Sequence, residues 1–239
     1  MLKLKSANTE LKIKANEYRM ASAYRNAVKE YLSAIMIEKN DFEIYFGLGV
    51  SYKFLNKTSK AIDALEKAAA LNDRDANVFY ELGICYLIEG QICSAMHNLI
   101  KCINLDKTNL NAQIQLAMAH EAAEEPEMAL LIYQKIMESN PHYVKAYEHA
   151  SFLLMDMQKY KQAGQILNRL VKIFPECTHA YLGLGICFEK LGKILSAKRC
   201  YRRFLILTKE EEQKEFVQKK LSKFEKNVCP AEHLSIVNV

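Results

Sequence analysis

The stretch LGICYLIEGQICSA occupies residues 82–95, and its first four letters recur at 184–187, 102 residues later. This separation is three times 34, and a fixed period of 20–50 residues is the signature of a repeat architecture. Two columns keep the period of 34 throughout. One contains only alanine: Ala27, Ala61, Ala95, Ala129, Ala163 and Ala197. The other contains only small residues: Ala15, Gly49, Gly83, Ala117, Ser151 and Gly185.

Each 34-residue repeat is predicted to form two helices joined by a short turn. Residues 43–55, EIYFGLGVSYKFL, place Tyr45, Leu48 and Tyr52 on one face at helical spacing. Residues 59–71, SKAIDALEKAAAL, show the same periodicity. Because one helical hairpin cannot bury both of its faces, successive repeats must stack. The sequence therefore predicts an all-α stack of hairpins.

The pattern of one repeat resembles the tetratricopeptide repeat, a 34-residue helix–turn–helix unit. The second repeat carries the matching residues Tyr45, Leu48, Gly49, Tyr52, Ala61, Leu65 and Ala68. The last repeat carries Tyr181, Leu184, Gly185, Phe188, Ala197 and Tyr201. The resemblance implies a right-handed superhelical solenoid of six tetratricopeptide helix–turn–helix repeats with a C-terminal capping helix.

The predicted domain boundaries follow the phase of the repeat. The six repeats are 8–41, 42–75, 76–109, 110–143, 144–177 and 178–211. We expect an N-terminal extension at 1–7, a capping helix at 212–227 and a flexible tail at 228–239. The capping helix is predicted from one apolar stripe in an otherwise charged segment: Phe216, Val217, Leu221 and Phe224.

The seven cysteines are predicted to be packing residues. They include no CxxC pair, and structural zinc sites normally use such short-spaced ligand pairs. Cys85 and Cys187 occupy the same place in their repeats, where a small apolar side chain suits the contact between helices. We therefore expect no metal and no cofactor. The odd number of cysteines also argues against a disulfide framework, so a cytoplasmic location is expected. The start of the chain has no signal-peptide core and no apolar run reaches 18 residues, so no transmembrane helix is expected.

In the family that the chain resembles, the first helices line a concave groove. The predicted peptide-binding residues are Lys12, Asn16, Glu43, Phe46, Val50, Phe54, Tyr80, Glu81, Ile84, Ile88, Ile114, Met118, Lys145, His149, Phe152 and His179. The middle of this set is apolar, and an exposed apolar strip usually marks an interaction site. We expect a non-catalytic scaffold or adaptor that binds an apolar or amphipathic peptide segment. Two alternatives stay open: curvature could bury the strip, or a second copy could fill it.

Two chaperone-related functions are alternatives to the simple scaffold. Lys12 and Asn16 resemble part of the carboxylate clamp that holds the acidic C-termini of heat-shock chaperones, although Glu81 would repel such a ligand. The stretches IYFGLGVSY (44–52) and AYLGLGICF (180–188) resemble a stretch of type III secretion chaperones, which shield hydrophobic clients but generally have about three repeats.

Nucleic-acid binding and catalysis have less support. The segment AKRCYRR at 197–203 is basic, but it is not part of a wider basic stripe interleaved with base-stacking aromatic residues, so a solvated face is favoured. The net charge of +5 permits an acidic partner without requiring one.

No P-loop, GxSxG, HExxH or dinucleotide-binding glycine motif occurs, so we predict that the chain is not an enzyme. His149 and His179, beside Glu148, fit a polar groove edge better than a metal site. The predicted partner is a protein or peptide, with no nucleic acid and no membrane span, in what could be a larger complex.

Overall fold

The structure is a computed structural model that describes residues 2–226, with side chains described for residues 7–225. These residues form thirteen α-helices and no strand. The first helices of the six repeats are α1 (Leu2–Met20), α3 (Phe42–Phe54), α5 (Ala76–Ile88), α7 (Leu110–Ala122), α9 (Val144–Asp156) and α11 (Thr178–Lys190). The second helices are α2 (Tyr24–Ile37), α4 (Thr58–Leu71), α6 (Ile92–Leu105), α8 (Pro126–Ser139), α10 (Tyr160–Ile173) and α12 (Ile194–Leu207). The last helix is α13 (Glu211–Lys226).

Six hairpins therefore follow one another at the period that the sequence predicts, which confirms the all-α repeat fold. Residues 2–7 of the predicted N-terminal extension belong to α1, and the predicted tail at 228–239 lies outside the described residues. Within the described part of the chain, no helix has the length and apolar character needed to cross a membrane.

The chain divides into two compact units, an N-terminal unit (Met1–Ile132) and a C-terminal unit (Tyr133–Val239). In each unit a second helix packs against the first helix of its own repeat and against the next first helix. Neighbouring first helices also touch, as α1 does with α3 and α9 with α11. This arrangement leaves one side of the first helices free of second helices.

The column of small residues allows the two helices of a repeat to approach closely. A Cβ atom on Gly83 would lie 2.7 Å from Cγ of Leu99 on the second helix of the same repeat. Real Cβ atoms do not make contacts this short, so a larger residue at position 83 would push the helices apart. The six alanines of the other column are all fully buried, as their periodicity predicts.

The turn between the two helices of every repeat contains one residue in the left-handed backbone region. These six residues also keep the period of 34: Ser22, Asn56, Gly90, Glu124, Gln158 and Gly192. Their φ angles lie between +55° and +73°. A left-handed residue reverses the chain at once and so directs the second helix back along the first. This column was not predicted from the sequence, because glycine occupies only two of its places.

The C-terminal helix α13 covers the end of the last repeat, as predicted. Val217 is fully buried with Tyr201 and Phe204, and Leu221 and Phe224 pack against the same cluster. Lys220 Nζ donates to Glu189 of α11 at 2.7 Å, and the Tyr201 hydroxyl donates to the same carboxylate at 2.5 Å. Phe216 is the exception in the predicted stripe, because 51% of it is exposed.

Three of the cysteines lie in the apolar interior. Cys85, Cys102 and Cys187 are all fully buried, and the first two belong to the cluster that contains Leu82 and Leu99. Burial raises the pKa of each of these three thiols to about 11. Cys93, at the start of α6, is exposed. The interpretation of Cys85 and Cys187 as packing residues therefore agrees with their positions.

Candidate functional site

The inner face of the N-terminal unit is the side of α1, α3, α5 and α7 that carries no second helix. In α5, the residues that point away from this face are buried: Val78, Phe79, Leu82, Gly83 and Cys85. The residues of α5 that reach the inner face are Tyr80, Glu81, Ile84 and Ile88. Tyr80, Glu81 and Ile84 are half-buried, and Ile88 is 60% exposed. The inner face is thus a surface whose side chains are partly available to a partner.

Three large apolar residues form an exposed column on this face. Met20, Phe54 and Ile88 occupy the last turns of α1, α3 and α5, at intervals of 34 residues. They are 78%, 53% and 60% exposed, respectively. We call them the inner apolar column. Met118 of α7, one turn further from the end of its helix, is 37% exposed. A run of exposed apolar residues on successive helices is a feature of interaction surfaces.

Phe54 is held in place by its neighbours. Its ring stacks on the ring of Tyr24, with centroids 4.6 Å apart and planes 7° from parallel. The ammonium group of Lys53 lies 4.8 Å from the centre of the Phe54 ring, within the range of a cation–π interaction. Phe54 is therefore an exposed aromatic side chain with little freedom to lose when a partner binds.

The charged residues beside the inner apolar column are paired with each other. Lys53 Nζ lies 2.5 Å from Oε2 of Glu81, which joins α3 to α5, and both side chains are 16% exposed. Lys12 Nζ lies 2.7 Å from Glu43 and 3.1 Å from Asp41. The hydrogen bond to Glu43 raises the pKa of Lys12. Because of these pairs, none of the predicted peptide-binding residues in the middle of the face carries an unpaired charge.

The sequence prediction of an exposed strip is wrong at two positions. Val50 is 6% exposed and Ile114 is 3% exposed, so neither offers a surface to a partner. The reason is that neighbouring first helices touch, as α3 does with α5 and α5 with α7, so side chains on the flanks between them close over each other. Phe46 is half-buried for the same reason, and its ring stacks on that of Phe42.

The two residues that resemble a carboxylate clamp are engaged inside the protein. Asn16 Oδ1 accepts a hydrogen bond of 2.6 Å from the Tyr31 hydroxyl, and Arg19 Nε donates to that hydroxyl at 3.3 Å. Lys12 is held by the carboxylates of Asp41 and Glu43. A carboxylate ligand would have to displace these two groups and would meet their negative charge. The arrangement does not favour a carboxylate at this place.

The predicted site residues of the C-terminal unit lie on the corresponding side of α9 and α11. Phe152 is 69% exposed, and Lys145 is exposed at the start of α9. His179 Nδ1 lies 3.7 Å from Glu148, whereas His149 stacks on Tyr133 with ring centroids 5.7 Å apart. The two histidines thus have different partners. Across the residues that the structure describes, no group of three His, Cys, Asp or Glu side chains is placed to hold a metal ion.

Sequence reasoning missed two features of the inner face. Tyr24 starts α2 and supports Phe54, but nothing in its local sequence separates it from other helix-start residues. Lys53 and Glu81 lie on adjacent first helices and are 28 residues apart, so no local pattern links them. Both contacts depend on how successive first helices are placed side by side, which the helical period alone does not determine.

Comparisons with known proteins agree with this repeat architecture. Family models described as tetratricopeptide repeat match residues 42–75 and 179–206. A tetratricopeptide-repeat protein from Parabacteroides merdae is similar in structure, with a TM-score of 0.72 and 16% identity over 92% of this chain and 88% of that chain. PilF of Pseudomonas aeruginosa has a TM-score of 0.67 and 16% identity, over 90% of this chain and 99% of its own.

A third similar structure is that of YrrB, which is described as a tetratricopeptide-repeat protein with an unusual peptide-binding site. Its TM-score is 0.60 and its identity 17%, over 81% of this chain and 97% of that chain. No curated protein sequence matches the chain. At this level of identity, the structural similarities establish the fold of the chain rather than the identity of a partner.

Proposed function

Because the chain belongs to the tetratricopeptide-repeat family, whose repeats indicate a protein-interaction scaffold, we propose that its N-terminal unit binds an apolar or amphipathic peptide segment. The proposed binding surface is the inner apolar column with the half-buried residues beside it. The scaffold acts by holding a partner, and no residue is assigned a catalytic role.

The observation that carries this proposal is the exposure of the inner apolar column. Met20, Phe54 and Ile88 keep more than half of their surface in water, although the adjacent charges are paired and half-buried. A partner that covers these side chains removes apolar surface from water at about 25 cal/mol per Å². A few such anchors commonly dominate binding, and truncating one costs on the order of 1–3 kcal/mol.

The spacing of the column defines what a partner has to offer. Packed helices lie about 8–10 Å apart, so residues at the same place on neighbouring first helices have roughly this separation. A partner helix repeats its side chains every seven residues, about 10.5 Å along its axis. A peptide in the polyproline II conformation repeats its side chains every three residues, about 9 Å along its axis. The partner segment should therefore have apolar residues at i, i+7 and i+14 if it is helical, or at i, i+3 and i+6 if it adopts polyproline II.

A matched pair of isoleucines tests the proposed surface. Ile88 lies on the inner face and is 60% exposed, whereas Ile100 lies on the second helix α6 and is 46% exposed. Peptides selected from a displayed library against the wild-type chain are titrated against Ile88→Glu and Ile100→Glu by fluorescence anisotropy. Ile88→Glu should weaken binding at least about tenfold, because a buried unpaired carboxylate costs several kcal/mol. Ile100→Glu should leave the affinity within about twofold of the wild type.

Two results would contradict the proposal. Either both variants bind the selected peptides as well as the wild type, or Ile100→Glu weakens binding as much as Ile88→Glu. Circular dichroism melting of each variant separates lost binding from lost folding, and because both residues are exposed, both variants should melt close to the wild type.

The chaperone role and the cytoplasmic location stay predictions. Shielding of a hydrophobic client would use the same apolar column, so the Ile88→Glu variant also tests it. Co-expression with a client that is insoluble alone would separate client shielding from simple scaffolding: a shielding protein keeps the client in solution, and Ile88→Glu loses that effect.

A further inference from the structure

The second helix α12 has a second exposed apolar surface, on the opposite side from its packing contacts. Its buried stripe is Ala197, Tyr201 and Phe204, and Thr208, the residue after the helix, is buried on the same side. Its exposed stripe, which we call the outer stripe, is Leu195, Arg199, Arg202 and Ile206, at i, i+4, i+7 and i+11. Leu195 and Ile206 are 80% and 72% exposed, which places two large apolar residues in water at the two ends of an arginine pair.

The fold does not require this composition. The preceding second helix of the same unit, α10, has the corresponding positions one repeat earlier. They are Lys161, Gln165, Asn168 and Lys172, and all four are exposed. A wholly polar stripe is therefore compatible with the packing of a second helix in this unit. The apolar ends of the outer stripe on α12 are thus not explained by stacking of the repeats.

The two arginines of the outer stripe have no ion-pair partner among residues 7–225. Their neighbours are used differently: Lys198 Nζ donates to the carbonyl of Phe224 at 3.4 Å, and the Arg203 guanidinium lies 5.9 Å from the Tyr181 ring centre. The surrounding sequence is also basic. Residues 133–239 contain 18 Lys and Arg against 11 Asp and Glu, net +7, whereas residues 1–132 contain 15 against 17, net −2.

The choice of arginine indicates the kind of partner. The chain has 26 lysines and only seven arginines, yet three of the arginines lie between positions 199 and 203. An anionic lipid surface attracts lysine and arginine about equally. A carboxylate pairs better with arginine, because the planar guanidinium donates two parallel hydrogen bonds to it. Arginine is also enriched where protein partners bind.

We propose that the outer stripe docks an acidic amphipathic helix of a protein partner, with two carboxylates between two apolar residues. The intervals between successive residues of the stripe are four, three and four, so the pattern is the same from either end of the helix. A partner helix with the same intervals therefore fits in parallel or antiparallel orientation. The stripe extends over twelve residues, about 16 Å from end to end, or roughly three helical turns. This surface is separate from the inner apolar column, and its docking does not depend on the peptide proposed for that column.

A designed probe tests the proposal. The probe is an 18-residue fluorescent helical peptide that carries Leu, Glu, Glu and Leu at i, i+4, i+7 and i+11, and its control carries Gln in place of both Glu. The full chain should bind the probe saturably and the Gln control at least about tenfold more weakly. The double variant Arg199→Glu with Arg202→Glu should lose at least about tenfold in affinity for the probe.

Matched variants decide whether the stripe itself is responsible. Lys161→Glu with Lys172→Glu makes the same change in net charge on α10 and should keep the affinity within about twofold; an equal loss would show diffuse charge attraction and overturn the proposal. The double variant Arg199→Lys with Arg202→Lys should bind the probe several-fold more weakly, because lysine cannot donate the paired hydrogen bonds. Unchanged binding by this variant, or no saturable binding by the wild type, would also overturn it.

Two further measurements distinguish helix docking on the outer stripe from binding at the inner apolar column and from binding to lipid. Ile88→Glu should bind the probe like the wild type, which makes failure here distinguishable from failure of the peptide-binding proposal. Co-sedimentation with vesicles of phosphatidylcholine and phosphatidylserine tests the membrane alternative. Vesicle binding that the Arg199→Lys, Arg202→Lys variant retains, without binding of the probe by the wild type, would assign the stripe to lipid and contradict the proposal.

Discussion

Gly83 and Gly164 are both buried helical glycines, but their surroundings differ. A Cβ on Gly83 would lie 2.7 Å from Cγ of Leu99, whereas a Cβ on Gly164 would make an ordinary contact of 3.9 Å with Cβ of Cys187. Gly83→Ala should therefore destabilise the chain by about 1–3 kcal/mol through overpacking. Gly164→Ala should stabilise it by about 0.5–1 kcal/mol, because alanine favours the helix over glycine.

Urea unfolding of the two alanine variants measures this difference at the level of single residues. A stable Gly83→Ala variant would show that the helix crossing has room that the structure does not contain. A destabilised Gly164→Ala variant would show that α10 and α11 lie closer together than the structure places them.

The thiols give a second prediction at the residue scale. Burial raises the pKa of Cys85, Cys102 and Cys187 to about 11, so at pH 8 these thiols are protonated as well as inaccessible. Cys93 is exposed and should react with N-ethylmaleimide before these three thiols. Peptide mass spectrometry after brief labelling of the folded chain should find Cys93 modified and the other three protected until urea is added. Labelling of Cys85 at the rate of Cys93 would contradict its buried position.

The identity of the residues alone predicted much of the buried contact between the two helices of each repeat. The alanine column and the small-residue column were recognisable because stacking imposes the same steric limit six times. The burial of Val50 and Ile114 was not predictable in the same way, because it depends on side chains of a neighbouring first helix. That contact is set by the rotation between successive repeats, and the helical period does not report this rotation.

At the scale of elements, the turns show how the hairpins are directed. Every turn between the two helices of a repeat has a left-handed residue at the same place. Gly192 has a φ of +70°, with no atom within 4 Å of the place that a Cβ would occupy. Gly192→Ala should therefore destabilise the chain by about 1–2 kcal/mol through backbone strain alone. Lys193→Ala, at the next residue, where φ is −87°, should change stability by less than about 0.5 kcal/mol. Equal melting temperatures for the two variants would contradict a left-handed turn.

A cation–π contact recurs between the two helices of four repeats, and it was not predicted. The pairs are Lys67 with Tyr45, Lys101 with Phe79, Arg169 with Tyr147, and Arg203 with Tyr181. Both members of each pair keep the 34-residue period, so the two columns could have been found by aligning the repeats on charge as well as on apolar residues. In these four repeats the contact places the charged end of a lysine or arginine over the aromatic residue near the start of the first helix.

The helix α13 continues the 34-residue period of the first helices. Phe216 lies 34 residues after Leu182, and Lys220 lies 34 residues after Ile186, so α13 stands where the first helix of a seventh repeat would begin. No second helix follows within the described residues, and the side that such a helix would cover is polar, with Lys219 and Ser222 exposed. This polarity allows α13 to end the stack without leaving an apolar face in water.

At the scale of the molecule, the sequence was sufficient for the fold and for the general kind of task. Six uninterrupted repeats left few alternatives to stacked hairpins; the structure contains six such hairpins, and tetratricopeptide-repeat models match two of them. The binding surface was predictable only in part: Phe54, Ile88 and Met118 are exposed as expected, but their charged neighbours form pairs between helices that no sequence pattern reveals. The outer stripe of α12 was identified as basic, and its apolar ends became evident only from their exposure.

The two proposed surfaces differ in the partners that they select. The inner apolar column is flanked by internally paired charges and selects apolar side chains at regular spacing. The outer stripe presents guanidinium groups that have no ion-pair partner among residues 7–225, and the carboxylate partner proposed for it should bind less tightly as salt is added. Affinity for the inner column should change little with salt, which gives an independent way to tell the two kinds of binding apart.

Methyl NMR of a chain labelled at its isoleucine δ1 carbons tests the central proposal most directly. On titration with a peptide selected by the wild-type chain, the methyl resonances of Ile84 and Ile88 on the inner face should shift and saturate together. Those of Ile100 on α6 and Ile206 on α12 should stay in place. Saturable shifts at Ile100, with Ile88 unchanged, would contradict binding on the inner face of the N-terminal unit.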